Sequence, residues 1–149
     1  MDGNGRWATQ RGLPRVQGHR AGMEAVKTLV SECRSIGIPY LTLYAFSKEN
    51  WLRPAEEVRF LFDLFCSFVR SELPLMMEKG IRLAFIGERS DLPFAAEKAL
   101  SYAMDKTKAN KDMILTLAIS YSGREEILHA ARELVRRGMQ SEKLTEDDF

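Results

Sequence analysis

The residues best suited to chemistry stand at the start of the chain, in Asp2-Gly3-Asn4-Gly5-Arg6-Trp7. Gly3 and Gly5 permit positive φ and a close approach of a ligand to the main chain. Successive N–H groups in such a turn form an anion-binding concavity, and Arg6 adds a planar fork matched to phosphate oxygens. Asp2 conflicts with that picture, because a bare carboxylate repels the anion its neighbours attract. A divalent cation removes the conflict, since Mg2+ takes one or two carboxylates together with phosphate oxygens. Two readings therefore fit the stretch: ordinary Asp-Gly and Asn-Gly turns, or a Mg2+–diphosphate site. Arg6, Arg11, Arg15 and Arg20 share the first twenty positions with a single acid, Asp2. Such a local excess suits a small polyanion better than a long one.

A second polar cluster, Ser47-Lys48-Glu49-Asn50-Trp51-Leu52-Arg53, comes after the apolar run Leu41 to Phe46. That run predicts a strand buried on both faces. Ligands of parallel sheets bind at the C-terminal ends of strands, near helix N-termini, which is where this cluster falls. Trp7 and Trp51 fit substrate contact and plain core packing equally well. His19 lies within reach of the glycine stretch, whereas His129 reads as a histidine on the side of a helix.

The elements that must position these groups alternate. Gly12 and Pro14 argue against regular structure over Thr9 to Gln17, and a mobile segment is expected there. Apolar residues at helical spacing predict a helix from about Gly18 to Ser35, stopped by Gly37. Pro54 opens a long helix to about Lys79, with Glu56 and Glu57 in its first turn, where carboxylates favour the helix dipole. Its large apolar residues cover more than one stripe, so it is buried on several sides or lines an apolar space. Pro74 should kink or interrupt it. A strand at Ile81 to Ile86, a helix from near Asp91, a strand from Met113 to Ile119 and a helix from Arg124 to Arg137 complete the series. Ser122 and Glu125 form a plausible capping box for the last helix. The alternation predicts an α/β fold: a mainly parallel β-sheet flanked by helices.

Composition excludes several classes. A chain of 149 residues gives about one domain. A net charge of +1 supplies no bulk attraction to nucleic acid or an anionic membrane, and the early arginines are not interleaved with stacking aromatics. Cys33 and Cys66 read as small core residues. No signal peptide or membrane-spanning run is evident, which points to the cytoplasm. Neither a G-x-G-x-x-G nor a P-loop pattern occurs, which argues against an ordinary nucleotide enzyme. No Asp-Asp-x-x-Asp box occurs either, which argues against trans-type prenyl synthases. Both ends look cut: no strand precedes the opening stretch, and Leu144 to Phe149 reads as a helix N-terminus.

In order along the chain, Met1-Asp2-Gly3-Asn4-Gly5-Arg6-Trp7-Ala8, Gly18-His19-Arg20-Ala21-Gly22, Leu43-Tyr44-Ala45-Phe46-Ser47, Glu49-Asn50-Trp51, Arg53-Pro54 and Tyr121-Ser122-Gly123-Arg124 resemble the cis-prenyltransferases. The nearest likeness is to the bacterial undecaprenyl diphosphate synthases. The resemblance implies condensation of isopentenyl diphosphate with an allylic diphosphate, usually farnesyl diphosphate, in a cytoplasmic, Mg2+-dependent homodimer that touches membranes only through its lipid product. It implies a hydrophobic tunnel between sheet and helices, with the Pro54–Lys79 helix as one wall and a depth set by Ala45, Phe62, Phe65 and Leu115. Asp2 then holds the metal and, with Asn50, serves catalysis. Gly3, Asn4, Gly5, Arg6, Trp7, Arg15, His19, Ser47, Lys48, Glu49, Trp51 and Arg53 contact substrate, Lys48 being a departure from the family pattern. The family's C-terminal Arg-x-Gly-Gly-Glu-x-Arg-x-Ser segment, which holds isopentenyl diphosphate, is absent. The resemblance thus implies one incomplete domain over residues 1–149. It leaves a second possibility, a non-catalytic partner subunit that binds prenyl diphosphate.

Overall fold

A computed structural model describes residues 3–139 and Thr145. Asp2 and the helix start expected at 144–149, Thr145 apart, lie outside the described residues. The order is α1 (Asn4–Thr9), α2 (Arg15–Ser35), β1 (Tyr40–Ser47), a 3-10 turn (Lys48–Leu52), α3 (Ala55–Glu78), β2 (Ile81–Ile86), a short 3-10 turn (Arg89–Asp91), α4 (Phe94–Thr107), β3 (Met113–Tyr121) and α5 (Gly123–Arg136). The three strands form a parallel sheet in the order β1-β3-β2, with helices flanking it.

The last strand in sequence is the central one. Leu43 of β1 and Phe85 of β2 both register with Leu117 of β3. Met113, Leu115, Leu117, Ala118 and Ile119 are all buried, so β3 is the strand whose two faces are covered. The expectation of double burial for β1 is corrected here. β1 is an edge strand: Leu43 and Phe46 are buried, while Tyr40 is 72% and Tyr44 48% exposed. Its register against β3 shifts between Tyr44 and Ser47. Such irregularities bend a strand and re-aim the segment at its end, which in β1 is the polar cluster.

α3 and α4 pack on each other and on β2. Thr107 is fully buried yet satisfied: its hydroxyl donates to the Ala103 carbonyl at 2.8 Å and accepts the Leu83 N–H at 3.0 Å, tying α4 to β2. Pro74 is carried inside α3 rather than interrupting it. It removes one donor near the end of the helix, while buried Met76 and partly buried Leu73 anchor the helix on either side. Cys33 and Cys66 are buried and free. No helix among the described residues is long and apolar enough to cross a membrane.

The opening stretch differs most from expectation. It is helical from Asn4, with Gly3 at φ 86° as its N-cap, and α2 begins at Arg15, directly after Pro14. The reason is tertiary. A Cβ at Gly18 would overlap the Asn4 carbonyl oxygen, and one at Gly22 would overlap the Asn4 side-chain amide. Two bare positions on α2 thus let α1 lie against it at backbone distance.

Candidate functional site

A cavity of about 440 Å³ opens between the α1–α2 corner, the C-terminal end of β1 and the first turns of α3. Its polar lining comes from Gly3, Asn4, Gly5, Arg6, Arg15, His19, Ser47, Asn50 and Arg53. Nine of the residues expected to contact substrate or serve catalysis are therefore brought together. Four others are placed elsewhere. Trp7 is 41% exposed and stacks under the Arg11 guanidinium, 4.5 Å from its ring centroid. Lys48, Glu49 and Trp51 line a separate shallow recess on the other side of the turn. Asp2 lies outside the described residues.

One carboxylate organises the polar end. Glu57, in the first turn of α3, accepts on a single oxygen, Oε1, from Arg15 Nη2 at 3.2 Å and Arg53 Nη1 at 3.0 Å; His19 Nε2 lies 3.4 Å away. Sequence reasoning placed Glu57 only as an acid in a helix first turn. Its partners Arg15 and His19 are 42 and 38 residues distant, and nothing local signals them. Burial pushes the Glu57 carboxyl up, but the bonds and charges of Arg15, His19 and Arg53 outweigh it and hold it below the usual carboxylate range. Burial lowers the His19 imidazole, and neighbouring arginines add to that, against the pull of Glu57. Because an ionised carboxylate only accepts, Nε2 is the ring nitrogen that carries a proton toward Glu57. Each guanidinium gives Glu57 one of its five N–H donors. The result is two aligned cationic forks at the polar end of the cavity, with His19 beside them.

The Lys48–Leu52 turn presents Asn50 to the same space. Asn50 Oδ1 accepts the Ser47 N–H at 3.0 Å, so its amide oxygen is committed to the turn and its NH2 group remains as a donor. Beyond the polar end the lining turns apolar. Leu61, Phe62, Leu64 and Phe65 lie one to two turns further along α3 than Glu57, facing Ala45, Phe46 and Ile119. Leu115 does not belong to this lining; it is core, 1% exposed. The arrangement suits an amphiphile with a dense anionic head and a hydrocarbon tail.

The family profile described as undecaprenyl diphosphate synthase matches residues 1–149. An isoprenyl transferase of Clostridium perfringens is 46% identical over 149 residues, which are all of this chain and 58% of that protein. A ditrans,polycis-undecaprenyl-diphosphate synthase ((2E,6E)-farnesyl-diphosphate specific) of Legionella pneumophila is 46% identical over 136 residues, covering 91% of this chain and 57% of that one. Among solved structures, lavandulyl diphosphate synthase from Lavandula x intermedia in complex with dimethylallyl diphosphate matches with a TM-score of 0.94 and 35% identity. That match covers 99% of this chain and 65% of the other. The chain thus spans somewhat over half the length of these curated relatives. With a profile matched end to end and a fold shared at that level, the chain belongs to the undecaprenyl diphosphate synthase family of prenyltransferases.

Proposed function

We propose that the cavity holds an allylic diphosphate, farnesyl diphosphate in the first instance, and that the protein condenses it with isopentenyl diphosphate to give a cis-polyprenyl diphosphate. One observation carries this: Arg15, Arg53 and His19, gathered on Glu57, line the same cavity as Leu61, Phe62, Leu64 and Phe65. The diphosphate head lies against Gly3 to Arg6, Arg15 and Arg53, and the prenyl tail runs along α3 past Leu61 and Phe65.

The chemistry asks for this pairing. When the allylic carbon–oxygen bond breaks, the diphosphate leaves with the electron pair, and fixed guanidinium groups stabilise the charge that develops on it. The apolar wall keeps water from the electron-deficient carbon until the isopentenyl double bond attacks it. A proton is then lost from the isopentenyl unit. Asn50 serves this step by orienting a relay to a diphosphate oxygen or to water, since its own oxygen is engaged and a neutral amide is a very weak base.

Mg2+ fits the donor set. No Asp or Glu lines the cavity among the described residues, and none of them forms an all-protein cage of three or more ligands. Asp2, adjacent in sequence to Gly3, would supply one carboxylate and the substrate its diphosphate oxygens, the mixed shell this ion favours. A metal held by Asp2 would supply electrostatic relief of the charge on the departing diphosphate. The same reading carries a homodimer and a cytoplasmic location.

The test is calorimetric titration with farnesyl diphosphate and Mg2+, then incorporation of labelled isopentenyl diphosphate. Binding with turnover is the expected result. Binding without turnover would make the chain a non-catalytic prenyl diphosphate-binding partner, and no binding would overturn the reading.

A further inference from the structure

Ser120, at the C-terminal end of β3, is the one non-glycine residue among those described with a positive φ, 51°. It is also 1% exposed. A side chain in the left-handed region is strained and persists only where surrounding contacts fix it. Here they do. The Ser120 carbonyl accepts the Glu88 N–H at 3.2 Å. The Ser120 hydroxyl donates to Asp91 Oδ2 and accepts the indole N–H of Trp51 at 2.9 Å.

The network continues through charge. Lys48 Nζ lies 2.8 Å from Asp91 Oδ2 and 3.2 Å from Glu125 Oε2 of α5. Burial raises the Asp91 carboxyl, but its bonds to Lys48 and Ser120 bring it below its ordinary value. Glu125 is accordingly not the capping residue expected of it. Ser122 is the N-cap of α5 without a side-chain cap bond, and the Glu125 carboxylate faces an ammonium instead. The Trp51 ring stacks on Phe62 at 5.2 Å and meets Phe46 edge-on at 5.1 Å.

Lys48 and Trp51 flank Glu49 and Asn50, so both ends of one short turn are pinned from outside the cavity. None of Lys48, Trp51, Asp91, Ser120 and Glu125 lines that cavity, yet the turn between them delivers Asn50, and Arg53 comes directly after it. We propose that Ser120, Asp91 and Lys48 are positioning residues, a latch that holds the Lys48–Leu52 turn where Asn50 and Arg53 face the bound diphosphate. The strained backbone at Ser120 aims its hydroxyl between Trp51 and Asp91. The ion pair is partly solvent-exposed and screened, so the hydroxyl bridge is the stronger tie. The effect on ligand affinity rests on the diphosphate reading above; the pinning of the turn does not.

The experiment uses the full chain labelled with 15N-tryptophan. It has two indole resonances, from Trp7 and Trp51, assigned with Trp7→Phe. Ser120→Ala should speed solvent exchange of the Trp51 indole N–H about fivefold, the scale of one lost hydrogen bond. Farnesyl diphosphate affinity, read with Mg2+ by calorimetry, should fall by a similar factor. Lys48→Met should weaken affinity about two- to threefold, and Lys48→Arg should restore it, which a merely space-filling role would not. Ser120→Gly separates strain from bonding: it relieves φ yet should match Ser120→Ala in exchange. Unchanged Trp51 exchange in Ser120→Ala overturns the latch. So does changed exchange with unchanged affinity in both Ser120→Ala and Lys48→Met. Should Ser120→Ala fail to fold, the Lys48→Met and Lys48→Arg pair decides. If the wild type binds no diphosphate, the functional reading falls, and the exchange rates alone decide the latch.

Discussion

Glu57 and Asp91 are both carboxylates held below their ordinary range by cations, yet they do opposite work. Glu57 stands behind the cavity lining and gathers three lining residues, Arg15, His19 and Arg53, around one oxygen. It aligns the forks, and as an anion it competes with the ligand for them. Asp91 stands outside the cavity and gathers Lys48 and Ser120. No ligand displaces it, so its influence travels only through the backbone of the turn it pins. On the proposed function, the difference separates a group that would trade partners with the diphosphate from one that fixes geometry.

The sharpest way to break this contrast is to remove a shared cation. Arg53→Ala deletes a charge-assisted contact to phosphate and should weaken farnesyl diphosphate binding about 10- to 100-fold by calorimetry. An unchanged affinity would mean Arg53 serves Glu57 alone. Glu57→Gln keeps the shape and removes the competing charge. Inorganic pyrophosphate should then bind about three- to tenfold tighter, while the His19 imidazole, losing the partner that raises it, moves further down in an NMR titration. Weaker pyrophosphate binding would show alignment to outweigh competition.

Acid sharpens the contrast next. Both carboxyls are depressed on folding, so their contribution is present above the unfolded-state carboxylate pKa near 4 and is lost as pH falls through the lower folded values. Thermal melts from about pH 5 to about pH 3 should show Tm falling in the wild type. The fall should be shallower in Glu57→Gln and in Asp91→Asn, and equal slopes in all three would sink the assignment. The smallest expected effect is a coupling. Because Asp91 acts through the turn that leads to Arg53, a double-mutant cycle of Ser120→Ala with Glu57→Gln on pyrophosphate binding should depart from additivity by about 0.5 kcal/mol or more. Strict additivity would make the two centres independent.

Much of the architecture was legible in the sequence, because helical spacing and short apolar runs report local structure directly. α2 through α5 and all three strands lie close to where periodicity puts them. The failures share a cause, which is contact between distant residues. Two glycines in six residues read as a loop, whereas α1 forms because Gly18 and Gly22 receive it. Leu41 to Phe46 read as a strand buried on both faces by hydrophobicity, but face coverage depends on the whole sheet, and β3 in the middle is the doubly covered strand. The cationic and glycine-rich parts of the site were legible from residue type. Glu57 and Ser120 were not, since an acid in a helix first turn and a serine after a strand are ordinary until their partners are known.

The corner between α1 and α2 has one more consequence, for rates. Because two side-chain-free positions seat α1 directly on α2, the rim proposed to meet an incoming anion would be assembled before encounter. Little ordering entropy is then lost at the moment of contact. Capture becomes a matter of diffusion and of the field of Arg6, Arg15 and Arg53, so the on-rate should fall steeply as ionic strength rises while dissociation hardly changes.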